Sequence, residues 1–207
     1  MDFAALAQEC APWVAHETMA AIVRTESAFR PLAIGINGGA KLARQPETKA
    51  EAVVTAKWLI ANGYNIDMGL GQVNSANLTK IGLTIENAFD PCQNIAASAT
   101  ILHGNYQSAK RKTGNDQAAL HAALSAYNTG SFTRGFSNGY VQRVVSNATP
   151  QGKKPAHPIP LAPAKAAKPK AKRPEQAQPP KAPEESQPHT QAAGDVYSRN
   201  IKSVMVY

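Results

Sequence analysis

The sequence predicts a mainly α (α+β) domain with a small hairpin insert, followed by a disordered tail rich in Pro and Lys. Three observations support this prediction. Apolar residues recur at helical spacing in several segments before residue 150. A Gly-containing turn separates two short extended pieces at 33–44. Eleven of the fifteen prolines lie between Pro150 and Pro188, where a packed core cannot form.

One predicted helix carries a carboxylic acid on its apolar face. Residues at i, i+3, i+4 and i+7 share that face: Met19, Ile22, Val23 and Glu26. Ser27 follows at once, and Pro31 ends the helix. Burial and the negative end of the helix dipole both disfavour ionisation of Glu26, so its pKa should be raised, as a general acid requires.

Periodicity alone also allows a structural interpretation of Glu26. A glutamate on an apolar helix face commonly reaches solvent at the helix edge or forms an ion pair, here with Arg24 or Arg30. The periodicity of this helix favours that alternative, and other parts of the chain are needed to decide.

The remaining elements follow in order. The hairpin at 33–44 turns at Asn37-Gly38-Gly39, and a helix at 48–62 stops at Asn62-Gly63. A helix opens at Asp90-Pro91, with Asp as the cap and Pro in the first turn, and runs to about 112. Apolar spacing predicts two more helices, at 116–126 and 140–147.

The chain divides by composition into a domain at 1–149, an extension at 150–194 and a short segment at 195–207. Residues 1–149 hold 12 basic against 10 acidic side chains, whereas residues 150–207 hold 10 against 4. The Pro/Lys/Ala-rich extension should be disordered and extended. The last segment regains apolar residues and is either a docking peptide or a frayed terminus.

The basic tail does not indicate nucleic-acid binding, because no aromatic residues are interleaved with its charges to stack on bases. No apolar run is long enough to span a membrane. Residues 1–6 carry Asp2 where a signal peptide would carry Lys or Arg, so no signal peptide is evident.

The two cysteines, Cys10 and Cys92, leave two alternatives open. They form one disulfide in an oxidising compartment, or they are separate buried thiols. No Cys/His cluster has metal-ligand spacing, and no cofactor motif occurs, so we expect neither a metal site nor a cofactor.

Three Gly-containing or helix-end stretches carry polar side chains suited to a sugar. They are Glu26-Ser27, the stretch 67–74 with Gln72 and Asn74, and the stretch 125–130 with Tyr127 and Asn128. Each alone is typical of an ordinary turn. Together they offer amides for hydroxyl and acetamido groups and a ring for an apolar sugar face, around one acid. Asp67 is expected to support its loop.

In order and spacing, the three stretches resemble the goose-type lysozyme and soluble lytic transglycosylase superfamily. Its Glu-Ser, Gly-Leu-Met-Gln and Ala-Tyr-Asn-x-Gly elements read here as Glu26-Ser27, Gly69-Leu70-Gly71-Gln72 and Ala126-Tyr127-Asn128-Thr129-Gly130. Gly71 departs from the usual Met, which predicts a wider or differently shaped subsite. Residues 6–12, 18–23, 33–39 and 89–92 and the Pro-rich tail are similar to the transglycosylase component of type IV secretion and conjugation systems.

The resemblance implies a lysozyme-like domain that cleaves the β-1,4 bond between N-acetylmuramic acid and N-acetylglucosamine of peptidoglycan with a 1,6-anhydro product. Glu26 is then the catalytic acid and base, without a second catalytic carboxylate. The implied substrate-binding residues are Ser27, Gly71, Gln72, Asn74, Tyr127, Asn128 and Tyr140. For Tyr127 and Tyr140, core packing is an equal alternative; for Ser27, the alternative is a hydroxyl that bonds a helix carbonyl.

The resemblance also favours the disulfide Cys10–Cys92, a periplasmic or cell-envelope location, and secretion-system partners for the tail besides glycan strands of peptidoglycan. Two other functions remain open. One is a lysozyme-like muramidase, which releases the product by hydrolysis. The other is a non-catalytic peptidoglycan-binding assembly factor.

Overall fold

A computed structural model describes residues 2–148. The predicted extension at 150–194 and the predicted segment at 195–207 therefore lie outside the described residues. Within the described residues the chain is mainly α-helical with one small sheet, as the sequence predicts.

The helices of the described part are α1 Phe3–Cys10, α2 His16–Ser27, α3 Lys49–Ala61, α4 Leu78–Ile81, α5 Ile85–Ala88, α6 Pro91–Thr113, α7 Asp116–Thr129, α8 Arg134–Ser137 and α9 Tyr140–Ala148. A 3₁₀ turn, Ser75–Asn77, precedes α4. The strands are β1 Ile34–Ile36, β2 Ile66–Met68 and β3 Val73–Asn74.

Side-chain caps explain where the three longest described helices, α3, α6 and α7, begin. Thr48, Asp90 and Asn115 each accept a hydrogen bond from the backbone N–H three residues later. These caps confirm the predicted starts of α3 and α6. α7 continues three residues past the predicted end and stops at Gly130, which has the left-handed conformation that ends helices. Helices α1, α4, α5 and α8 were not predicted from the sequence.

The predicted hairpin at 33–44 is wrong. β1 pairs instead with β2, antiparallel, with Ile34 opposite Met68 and Ile36 opposite Ile66. The Gln45 side chain accepts a hydrogen bond from the N–H of Ile34 and donates one to its C=O. Because a side chain satisfies these groups, no local second strand is needed beside β1. The hairpin of this sheet is β2–β3, within the stretch predicted to be a polar loop.

Two groups of buried residues form separate cores. The main core packs α1, α2, α6, α7 and α9 around residues such as Ile22, Leu102 and Leu124. The sheet core packs the strands and α3 around residues such as Leu59 and Met68. α6 supplies residues to both cores, and Leu70 brings the β2–β3 turn into the main core as well.

A disulfide joins Cys10, the last residue of α1, to Cys92 in the first turn of α6. The two Cα atoms lie 5.3 Å apart across a sequence separation of 82. The bond therefore ties the first helix to the helix that both cores share. No helix of residues 2–148 has the length and apolar character needed to cross a membrane.

Candidate active site

A cleft of about 640 Å³ runs between the two cores. Its floor is a strip of α6, one wall is formed by β2, β3 and α4, and the other by the C-terminal end of α7. Glu26, from the last turn of α2, lines the same cleft. The described lining is rich in neutral amides, which can hydrogen-bond hydroxyl and acetamido groups as donors or acceptors.

Glu26 is half-buried, and the hydroxyl of Tyr140 donates a hydrogen bond of 2.5 Å to its Oε1. Burial raises the pKa of Glu26 from 4.5 to about 7. The hydrogen bond from Tyr140 opposes this rise, the negative charge of Asp67 adds to it, and the positive charge of Arg143 lowers it slightly. A large fraction of Glu26 is thus protonated near neutral pH, while it still faces the cleft.

The backbone turns sharply immediately after Glu26 and Ser27. Ala28 and Phe29 both have left-handed φ values, 52° and 62°, a conformation that is costly for residues with a Cβ. The Phe29 ring packs edge-on against Phe3, with ring centroids 5.1 Å apart. This aromatic contact helps to hold the turn that ends α2 beside the cleft.

Ser27 does not reach the cleft. Its side chain is buried, and its hydroxyl donates to the carbonyl of Val23 in the preceding helical turn. The structure therefore shows the alternative geometry, a helix-end hydroxyl bonded to a carbonyl. The predicted substrate contact of Ser27 has no support in this arrangement.

A network of amides surrounds Asp67 on the sheet wall. Asn37 Nδ2 donates to Oδ2 of Asp67, and Asn74 Nδ2 donates to Oδ1. Asn65 and Asn74 also exchange side-chain hydrogen bonds. Burial raises the pKa of Asp67, and the two amide donors oppose that rise. Asp67 was expected to support a loop, but it lies in β2 and bonds the side chains of Asn37 and Asn74; its four-residue network lines the cleft.

The turn between β2 and β3 is closely packed. A Cβ on Gly71 would lie 2.0 Å from Ser98 Oγ and 2.9 Å from the hydroxyl of Tyr127. Gly71 does not open a wider subsite here, because the side chains of Ser98 and Tyr127 fill that space; a differently shaped subsite stays a prediction. Gly71 is buried and does not line the cleft.

Gln72 has a left-handed φ of 49° and does line the cleft. Its Nε2 donates to the carbonyls of Ala33 and Gly69. Both amide hydrogens are thus used to hold the turn, which leaves Oε1 as the polar atom available to a ligand.

Asn94, buried in the first turns of α6, fixes the same β2–β3 turn from below. Its Nδ2 donates to the carbonyls of Met68 and Ala88, and its Oδ1 accepts from the N–H of Gly71. Asn94 was not among the predicted site residues, because a buried asparagine inside a helix has no local signal in the sequence.

The other wall contains the end of α7. Tyr127 lines the cleft and donates its hydroxyl to the carbonyl of Gly71 at 2.6 Å. Burial and the nearby Glu26 raise the pKa of Tyr127, so it stays protonated. Asn128 is exposed in the cleft, where its Oδ1 accepts from Asn138.

Tyr140 is buried, with 1 % of its surface exposed, and does not line the cleft. Burial and Glu26 raise the pKa of its hydroxyl, which keeps it a hydrogen-bond donor. Tyr140 therefore acts on Glu26, and the predicted direct contact with substrate is not supported.

The structure thus brings five of the eight predicted residues into one cleft: Glu26, Gln72, Asn74, Tyr127 and Asn128. Ser27, Gly71 and Tyr140 lie behind it. Asn37 and Asn65 were missed as site residues, because Asn37 was interpreted as part of a local turn. Within residues 2–148, no group of three or more His, Cys, Asp or Glu side chains could hold a metal ion.

Comparison with known proteins agrees with this geometry. The family model described as "Transglycosylase SLT domain" matches residues 3–148, the two cores and the cleft together. The chain belongs to the SLT transglycosylase family. This result confirms the family resemblance of the three motif stretches.

Several curated relatives of this SLT transglycosylase domain carry the name virB1. "Type IV secretion system protein virB1" of Brucella abortus biovar 1 (strain 9-941) is 49% identical over 154 residues, which are 72% of this chain and 64% of that protein. "Protein virB1" of Agrobacterium fabrum (strain C58 / ATCC 33970) is 42% identical over 149 residues, 71% of this chain and 59% of that protein. The match thus spans less than two thirds of each relative. No solved structure matches the chain.

Proposed function

We propose that the protein is a peptidoglycan lytic transglycosylase that cleaves the β-1,4 bond between N-acetylmuramic acid and N-acetylglucosamine. The observation that carries the proposal is Glu26, a half-buried acid with a pKa of about 7 at the side of an amide-lined cleft. A general acid works best when its pKa is near the operating pH. Membership of the SLT transglycosylase family supports the same reaction.

In the first step, Glu26 gives its proton to the glycosidic oxygen as the bond to the anomeric carbon breaks. The substrate's own acetamido group stabilises the cationic centre, so no second protein carboxylate is required. The Glu26 carboxylate then takes the proton of the muramoyl 6-hydroxyl, whose oxygen closes on the anomeric carbon. The products are an N-acetylglucosamine end and a 1,6-anhydro-muramoyl end, and Glu26 is protonated again.

Tyr140 and the residues that line the cleft have separate roles in this reaction. The hydroxyl of Tyr140 fixes one oxygen of Glu26, which orients the other toward the bond to be cleaved. Gln72, Asn74, Tyr127 and Asn128 contact the sugars from the two walls.

Mass spectrometry of purified peptidoglycan digested by the full chain tests this function. Anhydro-muropeptides, one water lighter than hydrolysis products, are expected from the unmodified protein and not from Glu26→Gln. Glu17→Gln is the matched control, because Glu17 lies in the first turn of the same helix and does not line the cleft. Reducing-end products would indicate a muramidase, and cleavage by Glu26→Gln would exclude Glu26 as the catalytic acid.

We further propose that the protein acts in the periplasm and opens the wall for a type IV secretion apparatus. The names of the virB1 relatives and the disulfide, which is typical of oxidising compartments, support this. The tail beyond residue 149 is the proposed contact with the apparatus. A photo-crosslinker at Tyr197 should capture a secretion-system protein in cells; no such product would count against this role for the tail.

A further inference from the structure

Gly104 stands near the middle of α6, where glycine is less favourable for the helix than any other residue except proline. Nothing in the described fold requires it. Apart from its chain neighbours and the nearby backbone of its own helix, no heavy atom of the described residues lies within 4 Å of the position that a Cβ would occupy, and its φ is not left-handed. Gly104 is exposed and lines the cleft. A residue that is unfavourable for the helix and unnecessary for packing is explained if a ligand lies against the backbone here.

The surroundings of Gly104 form a flat strip on α6. Thr100, Ile101 and Asn105 lie on the same face of the helix and also line the cleft. Gly104 is six residues beyond Ser98, the residue that packs against Gly71. This places it about 9 Å along the helix axis from that contact. The strip is thus a separate part of the cleft floor, past the turn that holds Gln72.

Lys80 lines the same cleft as this strip. It lies on α4, one turn from Asn77, and it is the one cationic side chain among the described lining residues. No ion pair joins Lys80 to a carboxylate within residues 2–148. The two acids that line the cleft, Glu26 and Asp67, belong to the helix end and the sheet wall. Lys80 is therefore available to an anionic ligand.

We propose that Gly104 and Lys80 form a distal subsite for the glycan strand. A pyranose ring lies with its apolar face on the backbone of Gly104 and on Ile101, while Asn105 and Thr100 hydrogen-bond its polar groups. The ammonium of Lys80 pairs with a carboxylate that the strand carries. This carboxylate comes either from the lactyl group of a muramoyl residue without a peptide or from the stem peptide attached to it. The inference rests on the proposed function, since it takes peptidoglycan as the ligand.

The test of the floor uses Gly104→Leu in a Glu26→Gln background, so that bound strands are not cleaved. Leucine is a good helix former, and open space surrounds the site, so thermal stability should not fall. We expect binding of purified glycan strands to weaken about tenfold or more, because the side chain fills the floor. Gln107→Leu places the same leucine side chain on the exposed surface of α6 outside the cleft lining, and it should bind as the parent does.

Lys80→Met, in the same background, identifies the carboxylate. Weaker binding of peptide-bearing strands alone assigns the stem peptide; weaker binding of peptide-free strands alone assigns the lactyl group; and weakening of both assigns both sources. The proposal is overturned if Gly104→Leu or Lys80→Met binds both kinds of strand as tightly as the parent, or if the parent binds neither.

The binding measurements and the cleavage assay can fail separately. Binding that depends on Gly104 and Lys80 without any cleavage by the unmodified protein would remove the proposed reaction and leave the subsite. Cleavage by the unmodified protein, with unchanged strand binding by both variants, would keep the proposed reaction and remove the subsite.

Discussion

At the scale of single residues, the protonation of Glu26 depends on a balance of opposing neighbours. Burial raises its pKa, whereas the hydroxyl of Tyr140 stabilises the carboxylate and lowers it. Arg143, on the same helix as Tyr140, acts in the same direction. Two residues of α9 thus lower the pKa of an acid that α2 carries.

Replacing Tyr140 by Phe should move the pH dependence of cleavage. Loss of the hydroxyl removes a donor to the carboxylate, so the pKa of Glu26 rises above about 7 and the acid stays protonated to higher pH. The descending limb of kcat/KM against pH should shift upward. Tyr106→Phe is the control, since the Tyr106 hydroxyl pairs with Asp116 and not with Glu26. An unmoved limb in Tyr140→Phe would contradict the positioning role.

Glu26→Gln should also stabilise the fold in a pH-dependent way. A carboxyl whose folded pKa is raised gives its full stability below 4.5 and loses it as pH rises through about 7. Above that pH the variant should gain up to about 3 kcal/mol in the free energy of unfolding, and below 4.5 almost nothing. Urea unfolding on both sides of this window measures the difference. An equal gain in stability at both pH values would mean that burial does not disfavour the charged form of Glu26.

At the scale of elements, the turn between β2 and β3 is held by contacts from three helices or loops. Asn94 of α6 bonds its backbone, Tyr127 of α7 bonds the carbonyl of Gly71, and Gln72 reaches back to Ala33. Ser98 lies directly against Gly71. The turn that presents Gln72 to the cleft is therefore determined by packing at Gly71.

Gly71→Ala should destabilise the protein by about 1–3 kcal/mol, because the new Cβ would overlap Ser98 Oγ. Ser98→Gly in the same chain should recover part of this loss, since it removes the atoms nearest the new Cβ. Chemical denaturation of the two single variants and the double variant gives the coupling. Gly104→Ala, at a position with open space, should not be destabilising. Additive effects at positions 71 and 98 would show that the overlap relaxes elsewhere.

The sequence was informative where the determining signal is local and uninformative where it is not. The pattern of α2 was enough to place Glu26 on an apolar helix face, and the predicted cap at Asp90 was enough to start α6. The bond from Tyr140 to Glu26 spans 114 residues and has no local signature. The partner of β1 was missed because Gln45, a side chain, occupies its free edge.

At the scale of the whole molecule, the disulfide closes a loop that contains α2, α3 and the whole sheet. In the chain-entropy account, a cross-link over 82 residues stabilises the fold by about 4 kcal/mol. Cys10→Ala with Cys92→Ala should lose about that much in denaturant unfolding, and reduction of the unmodified protein should give the same loss. Full stability under reducing conditions would mean that the bond adds little.

The continuity of α6 has a mechanical consequence. The two cores share one continuous helix at the cleft floor, because α6, from Pro91 to Thr113, packs into both without a break. Movement of one core away from the other requires this 23-residue helix to bend, since no hinge loop crosses the floor. The width of the cleft is thus preset before a ligand arrives. On the proposed function, a glycan strand must adapt to the cleft, and the site selects among strand shapes instead of closing around them.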